Sequence, residues 1–196
     1  MKKNNTILIC ILAISLLVFV VPVQAEGDPS RGVKGKTSYH SKFAEISFSL
    51  PQGWMFLSDE DIAKILDISI EMFDLDKQMI ENSIPVIDMM AIDTKTGTNV
   101  NLAFQKQFLT LEGYVNYSRT YLANMDAVSY VSDLVEITFA GKECLAFSDS
   151  ISNLEQEQLS ISYSLNDYFF TITVTMVGKQ YDTDDFFDLL ERFSDF

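Results

Sequence analysis

The chain has 196 residues, with 14 lysines and arginines against 28 aspartates and glutamates and a formal net charge of −14. A surface this acidic repels DNA, RNA and anionic lipid head groups, which excludes nucleic acid as a partner. With one histidine and two cysteines in all, a tetrahedral zinc shell built from those residue types alone is excluded too.

The N-terminus opens with Lys2 and Lys3 and no acid, followed by Ile7 to Val21, which is apolar except for Ser15. That run falls short of the roughly 20 residues that span a ~30 Å hydrocarbon core as a helix. Pro22 breaks it, and Val23-Gln24-Ala25 puts modest residues where a signal peptidase reads. Residues 1–25 are therefore read as a cleavable signal peptide, with the cut between Ala25 and Glu26; an uncleaved anchor is the alternative. The mature chain is expected to keep no transmembrane span and to be secreted or associated with the cell envelope. Cys10 lies inside the apolar run rather than just after it, which does not suit lipidation. Cys144 is then the sole mature cysteine. It cannot form an internal disulfide and reads as a small buried residue.

Residues 26–42 are glycine-, serine- and lysine-rich, with only Val33 and Tyr39 able to enter a core, and read as a flexible polar linker. Residues 43–196 form a single acidic domain. Ala44 to Leu50 alternates like a half-buried strand and ends at Pro51-Gln52-Gly53. Ser58-Asp59-Glu60-Asp61 starts a helix by capping and dipole complementarity, and its apolar stripe runs from Ile62 toward Ile80 before Pro85. Strands near 86–92 and 99–105 flank the turn residues Asp93 to Gly97. A second helix covers about 110–125, with Leu111, Tyr114, Val115, Ser118 and Leu122 on one face. Strand-like runs follow at 128–139, 143–149, 158–165 and 168–176, the last two joined by the two-residue turn Asn166-Asp167. A closing helix begins at Asp182-Thr183 and carries Phe186, Phe187, Leu190 and Phe193. Strands joined by tight turns are antiparallel neighbours. The order predicts one mostly antiparallel sheet of six to seven strands with helices on its faces. No strand leads into a glycine-rich phosphate loop.

Ile46-x-Phe48-x-Leu50-Pro51-x-Gly53-Trp54, the Gly141-Lys142 hairpin, Asn166-Asp167-Tyr168-Phe169 running into a long strand, and the Phe-rich closing helix together resemble PsbP-like domains. That group includes extrinsic subunits of the photosynthetic oxygen-evolving complex, nuclear Ran-release factors and bacterial exported proteins. The resemblance covers residues 43–196. It implies an α/β/α sandwich and a mostly non-enzymatic binding role, and it brings no functional residues with it.

The chemistry points the same way. A serine or cysteine nucleophile usually needs a histidine base, and His40 falls in the segment read as flexible. No catalytic residue is assigned. The densest acidic cluster, Asp182, Asp184, Asp185 and Asp188, is the one candidate for calcium, but it lacks an EF-hand's glycine and distal glutamate. Acids at a helix N-terminus explain it. Trp54 reads as a core anchor. The sequence therefore predicts an extracytoplasmic binding or accessory module with no cofactor and a protein partner it does not identify; the acidic charge would attract a basic one, and solubility alone also explains it. A carboxylate-based hydrolase of envelope or environmental polymers is the alternative, since the acids are plentiful enough for a pair.

Overall fold

A computed structural model describes residues 31–72, 85–107, 109–178 and 183–196 of the chain. The segment read as a signal peptide, the expected cut between Ala25 and Glu26, and Asp182 lie outside them. In chain order the strands and helices are β1 (Val33–Lys34), β2 (Ser38–Ser41), β3 (Ile46–Ser49), β4 (Trp54–Phe56), α1 (Asp59–Met72), β5 (Val86–Asp93), β6 (Asn99–Lys106), α2 (Leu111–Ala123), β7 (Tyr130–Val131), β8 (Val135–Phe139), β9 (Lys142–Ile151), β10 (Gln156–Leu165), β11 (Tyr168–Val177), α3 (Thr183–Leu190) and β12 (Phe193–Asp195).

Local chemistry sets the boundaries. Ser58 accepts from the Asp61 N–H and donates to the Asp61 carboxylate, closing the first turn of α1. Thr110 caps α2 by accepting from the Gly113 N–H. Asn166 and Asp167 both take positive φ, the geometry of a two-residue hairpin whose twist matches its strands. That turn fixes the β10–β11 register from Leu165↔Tyr168 to Gln156↔Val177. Ala140 and Gly141 do the same between β8 and β9, at φ 46° and 72°.

Among the described residues all strand pairs are antiparallel. The large sheet has the order β4-β5-β6-β11-β10-β9-β7, with β8 also paired to β9. The small sheet has the order β1-β2-β3-β12. One face of the large sheet presents Met89, Leu102, Ile161, Tyr163, Phe170 and Ile172 to Tyr39, Ile46 and Phe48 of the small sheet and to Leu189 and Leu190 of α3. On the other face, Ile62 and Ile65 of α1 cover Ile87, Met90 and Ile92. Tyr114, Val115 and Leu122 of α2 cover Phe147, Ile151 and Phe169. Helices thus lie on both faces of a large antiparallel sheet, as predicted from the chain order.

Several expectations need correction. The polar segment read as a flexible linker is, from Arg31 onward, part of the fold: β1 and β2 lie within it, and Tyr39 and Ser41 are fully buried. Its anchors are mostly polar, so a count of apolar residues misses them. Arg31 and Lys34 both pair with Asp59 at the start of α1, and the Arg31 guanidinium donates to the Ile87 carbonyl at 3.1 Å. There are two sheets rather than one, because this segment, β3 and β12 pair with each other. The run at 128–139 is split into β7 and β8, and Phe193 belongs to β12 rather than to the closing helix.

Candidate functional site

The helix-covered face of the large sheet is apolar under α1 and α2 and polar between them. Cross-strand register places Asn99, Thr175, Gln158 and Asp149 in one row across β6, β11, β10 and β9. The adjacent row holds Asn101, Thr173 and Ser160, and the next holds Thr171 and Ser162. All but Thr171 are buried. Some of these groups satisfy each other: Ser162 and Thr171 share a hydrogen bond at 2.9 Å, and the Tyr114 hydroxyl lies 3.2 Å from Thr171 Oγ1. Others have no hydrogen-bond partner, namely Asn99 Oδ1, Asn101 Nδ2, Thr175 Oγ1, Gln158 Nε2 and both Asp149 carboxyl oxygens. An unmet buried polar atom costs about 1–3 kcal/mol, so a cluster of them calls for an explanation. A cavity of about 20 Å³ opens beside the second row, lined by Asn101, Ser118, Ser160, Thr173 and Phe147.

Among the described residues two carboxyl groups are deeply buried, each 1% exposed, and they differ in kind. Asp149 sits in the unpartnered row, and desolvation pushes its pKa up to about 7. Asp88 stands at a register irregularity of β5, between Ile87 and Met89. A β-bulge re-aims a side chain, and Asp88 is held by the Tyr39 hydroxyl and the Gly32 N–H. Burial first, and the Asp88 charge second, hold the Tyr39 hydroxyl well above the usual phenol range. The order β5-β6-β11-β10-β9 separates these acids by four strand spacings, about 19 Å at ~4.8 Å each.

A groove of about 430 Å³ lies between the start of α2 and the β8–β9 pair. Leu111, Leu134 and Leu145 give it apolar walls, and Glu112, Glu136 and Glu143 stand exposed around them. Among the described residues no lysine or arginine pairs with these three glutamates. The groove borders β8, which is paired to β9 on one side. Sequence reading missed both the groove and the polar rows. The alternation of polar and apolar residues in β10 marks one face as polar but does not say that helices bury it.

The residues singled out in the sequence are scattered over the fold. Asp184, Asp185 and Asp188 are exposed on α3, the first two in its opening turn. Among the described residues no three acidic, histidine or cysteine side chains converge on a point that would hold a cation. Asp185 and Trp54 share an open groove of about 500 Å³ with Asp93, whose carboxylate is engaged by the Lys95 N–H and the Thr96 hydroxyl of its own turn. Trp54 is partly buried against the main core. Cys144 is buried, its thiol donating to the Lys142 carbonyl, and burial pushes its pKa up to about 11. His40 is not in a flexible segment. On β2 its Nδ1 lies 2.9 Å from Ser47 Oγ, with the Phe196 ring 5.6 Å away. This contact is exposed, and its cross-strand row, Val33-His40-Ser47-Ser194, offers no carboxylate to orient the imidazole.

The chain is similar in structure to cyanobacterial PsbP (CyanoP) from Synechocystis, with a TM-score of 0.51 at 13% identity over 90% of this chain and 100% of that one. A crystal structure from Bacteroides thetaiotaomicron is similar at a TM-score of 0.43 and 10% identity, over 82% of this chain and 48% of that one. No protein family matches the chain, and no curated protein does. The fold is PsbP-like, a mixed α+β fold built on antiparallel sheets. No helix among the described residues is long and apolar enough to cross a membrane.

Proposed function

We propose that this chain is a non-enzymatic binding or accessory module that works outside the cytoplasm at the cell envelope and docks a basic segment of a protein partner. The observation that carries this reading is the groove between α2 and β8–β9, where three exposed glutamates without a cationic partner surround leucine walls. A segment alternating lysine or arginine with aliphatic residues matches it in charge and in apolar surface. The PsbP-like fold and the signal-like N-terminus support the same reading.

The hydrolase alternative needs two carboxyl groups about 5–10 Å apart across a cleft. The two buried acids, Asp88 and Asp149, are about twice that distance apart. Asp88 is engaged by Tyr39, while Asp149 has amides and hydroxyls as its row neighbours.

The test is capture of a partner from envelope extract by the chain beginning at Glu26, followed by affinity measurements at low and high salt with and without chelator. Exposed charges interact over a Debye length of ~8 Å at physiological salt, so affinity should fall steeply as salt rises. Glu136→Lys and Glu143→Lys should each weaken binding about tenfold, equivalent to about 1.4 kcal/mol. Affinity lost to chelator would instead favour a calcium site at the α3 acids. Polysaccharide or peptide hydrolysis that disappears in Asp149→Asn would overturn the binding reading.

A further inference from the structure

The groove between α2 and the β8–β9 pair ends at an open strand edge. β8 pairs with β9 on one side, and among the described residues no strand pairs with the other. The register fixes where its backbone groups point. The N–H groups of Ser129 and Ser132 bond to the carbonyls of Ser150 and Ser148, so the even-numbered residues of β9 bond toward this edge. Cys144 is one of them and lies opposite Ile137. Bonded and non-bonded residues alternate in an antiparallel pair. Val135, Ile137 and Phe139 therefore bond to β9, while the N–H and C=O groups of Glu136 and Thr138 point away from it. Both residues are exposed, and among the described residues no hydrogen bond reaches these outward backbone groups.

We propose that this edge takes the partner's basic segment as an added β-strand, a refinement that rests on the docking reading of the same groove. In strand addition the main chain supplies affinity and alternate side chains supply selection. Glu136 and Thr138 share the groove face with their cross-strand partners Leu145 and Glu143. Every second side chain of a strand beside β8 passes over this face. A lysine or arginine there meets the glutamates while its stem covers Leu134 and Leu145. The intervening side chains lie beside Val135 and Ile137 on the opposite face, where aliphatic residues fit, and Val135 is 52% exposed. Alternation of basic and aliphatic residues in the partner thus follows from the pleat. A second copy of this chain is disfavoured, because two β8 edges brought together set the glutamates of one against those of the other.

The probe is a synthetic peptide of alternating lysine and valine, added to the chain beginning at Glu26. Its binding should slow backbone amide exchange at Glu136 and Thr138 and leave Ile137, already bonded to β9, unchanged. Thr138→Pro removes an outward donor at a strand edge, where proline is tolerated, and should weaken the peptide about tenfold. Methylating one alternating set of the peptide's backbone nitrogens should weaken it as much, and methylating the other set should have little effect. That readout uses the unaltered protein and does not depend on how well the proline variant folds. Binding that is lost in Glu143→Lys yet leaves Glu136 and Thr138 exchanging freely overturns strand addition and keeps the groove as the docking site. A peptide that does not bind at all overturns the proposal, and partner capture indifferent to Glu136→Lys and Glu143→Lys then takes the docking reading with it. A dimer of the chain alone that Thr138→Pro dissociates makes a second copy the occupant and also overturns the proposal.

Discussion

The hydroxyl of Tyr39 donates to the carboxylate of Asp88, and this one contact joins the small sheet to the irregular register of β5. The Gly32 N–H reaches both oxygens of the same carboxylate, at 3.0 and 3.1 Å. Gly32 has no room for a side chain, because a Cβ there would run into the Tyr39 ring.

Tyr39→Phe should therefore destabilise the fold by about 1–3 kcal/mol, since it takes one of the donors from a buried charge. Urea denaturation measures the loss. In an Asp88→Asn background the same substitution should cost less, and equal losses in the two backgrounds would show that Asp88 and Tyr39 are not coupled.

Asp149 gives the fold a pH dependence of definite sign. Its pKa is about 7 in the folded chain against an ordinary 3.8, so between those values the folded state binds more protons than the unfolded one. Stability should fall as pH rises from about 4 to about 7 and then level off, by up to on the order of 4 kcal/mol. Asp149→Asn should flatten that limb of the curve. Asp59 and Asp195 act in the opposite direction. Hydrogen bonds from Lys34 and Lys142 respectively hold their carboxyls below the usual range, so their contribution is present at neutral pH and fades as pH falls through the lowered values. Chemical denaturation of the wild type and Asp149→Asn across this range separates the two.

Removing residues before Phe43 should leave a chain that melts well below one beginning at Glu26. The loss includes the buried Tyr39 side chain, and truncation of a buried aromatic costs about 3–5 kcal/mol. Trypsin should leave Lys34 uncut in the native protein, because it is held by Asp59 and the Leu57 carbonyl. Equal melting of the two chains would restore the view of this segment as a tether.

Lys142 ties three elements together. Its ammonium donates to the Glu45 carbonyl at 2.8 Å and to Asp195 at 3.0 Å, and it lies 5.8 Å from the centre of the Tyr163 ring. Glu45 itself takes a positive φ of 51°, a conformation unfavourable for a residue with a Cβ. Lys142→Met keeps the apolar stem but loses these bonds, and should destabilise by about 1–2 kcal/mol in a denaturant titration.

What could be read in the sequence depended on whether a residue's role was local. The Asn166-Asp167 turn, the Ser58 cap and the alternation in β10 and β11 were legible because neighbours in the chain determine them. The small sheet was not: β1, β2 and β3 are neighbours in the chain but β1 and β2 lie in a polar tract with few apolar residues to mark a strand, and β12 joins them only through pairings such as Phe193↔Phe48 that no short window contains. Tyr39 was one of two residues of a polar tract able to enter a core, but its partner Asp88, 49 residues away, was out of reach of any local reading. The polar rows escaped for a similar reason. Ser160, Ser162, Thr173 and Thr175 fall on one polar face of β10 and β11, and alternation within a strand does not show which polar groups of neighbouring strands it lines up in rows.

The pairing of β3 with β12 sets the order in which this molecule can be assembled. The Ser49 N–H bonds to the Arg192 carbonyl, and the Ser49 hydroxyl to the same oxygen, across 143 residues of chain. Until β12 arrives, β3 has one open edge and Phe48 lacks the Phe193 ring that lies 4.6 Å from it. Closure of so long a loop is less costly once the large sheet has formed between its ends, so the β3–β12 pairing is expected to follow that sheet rather than precede it. β3 thus gains its second strand neighbour only once residues 193–195 are free to pair with it.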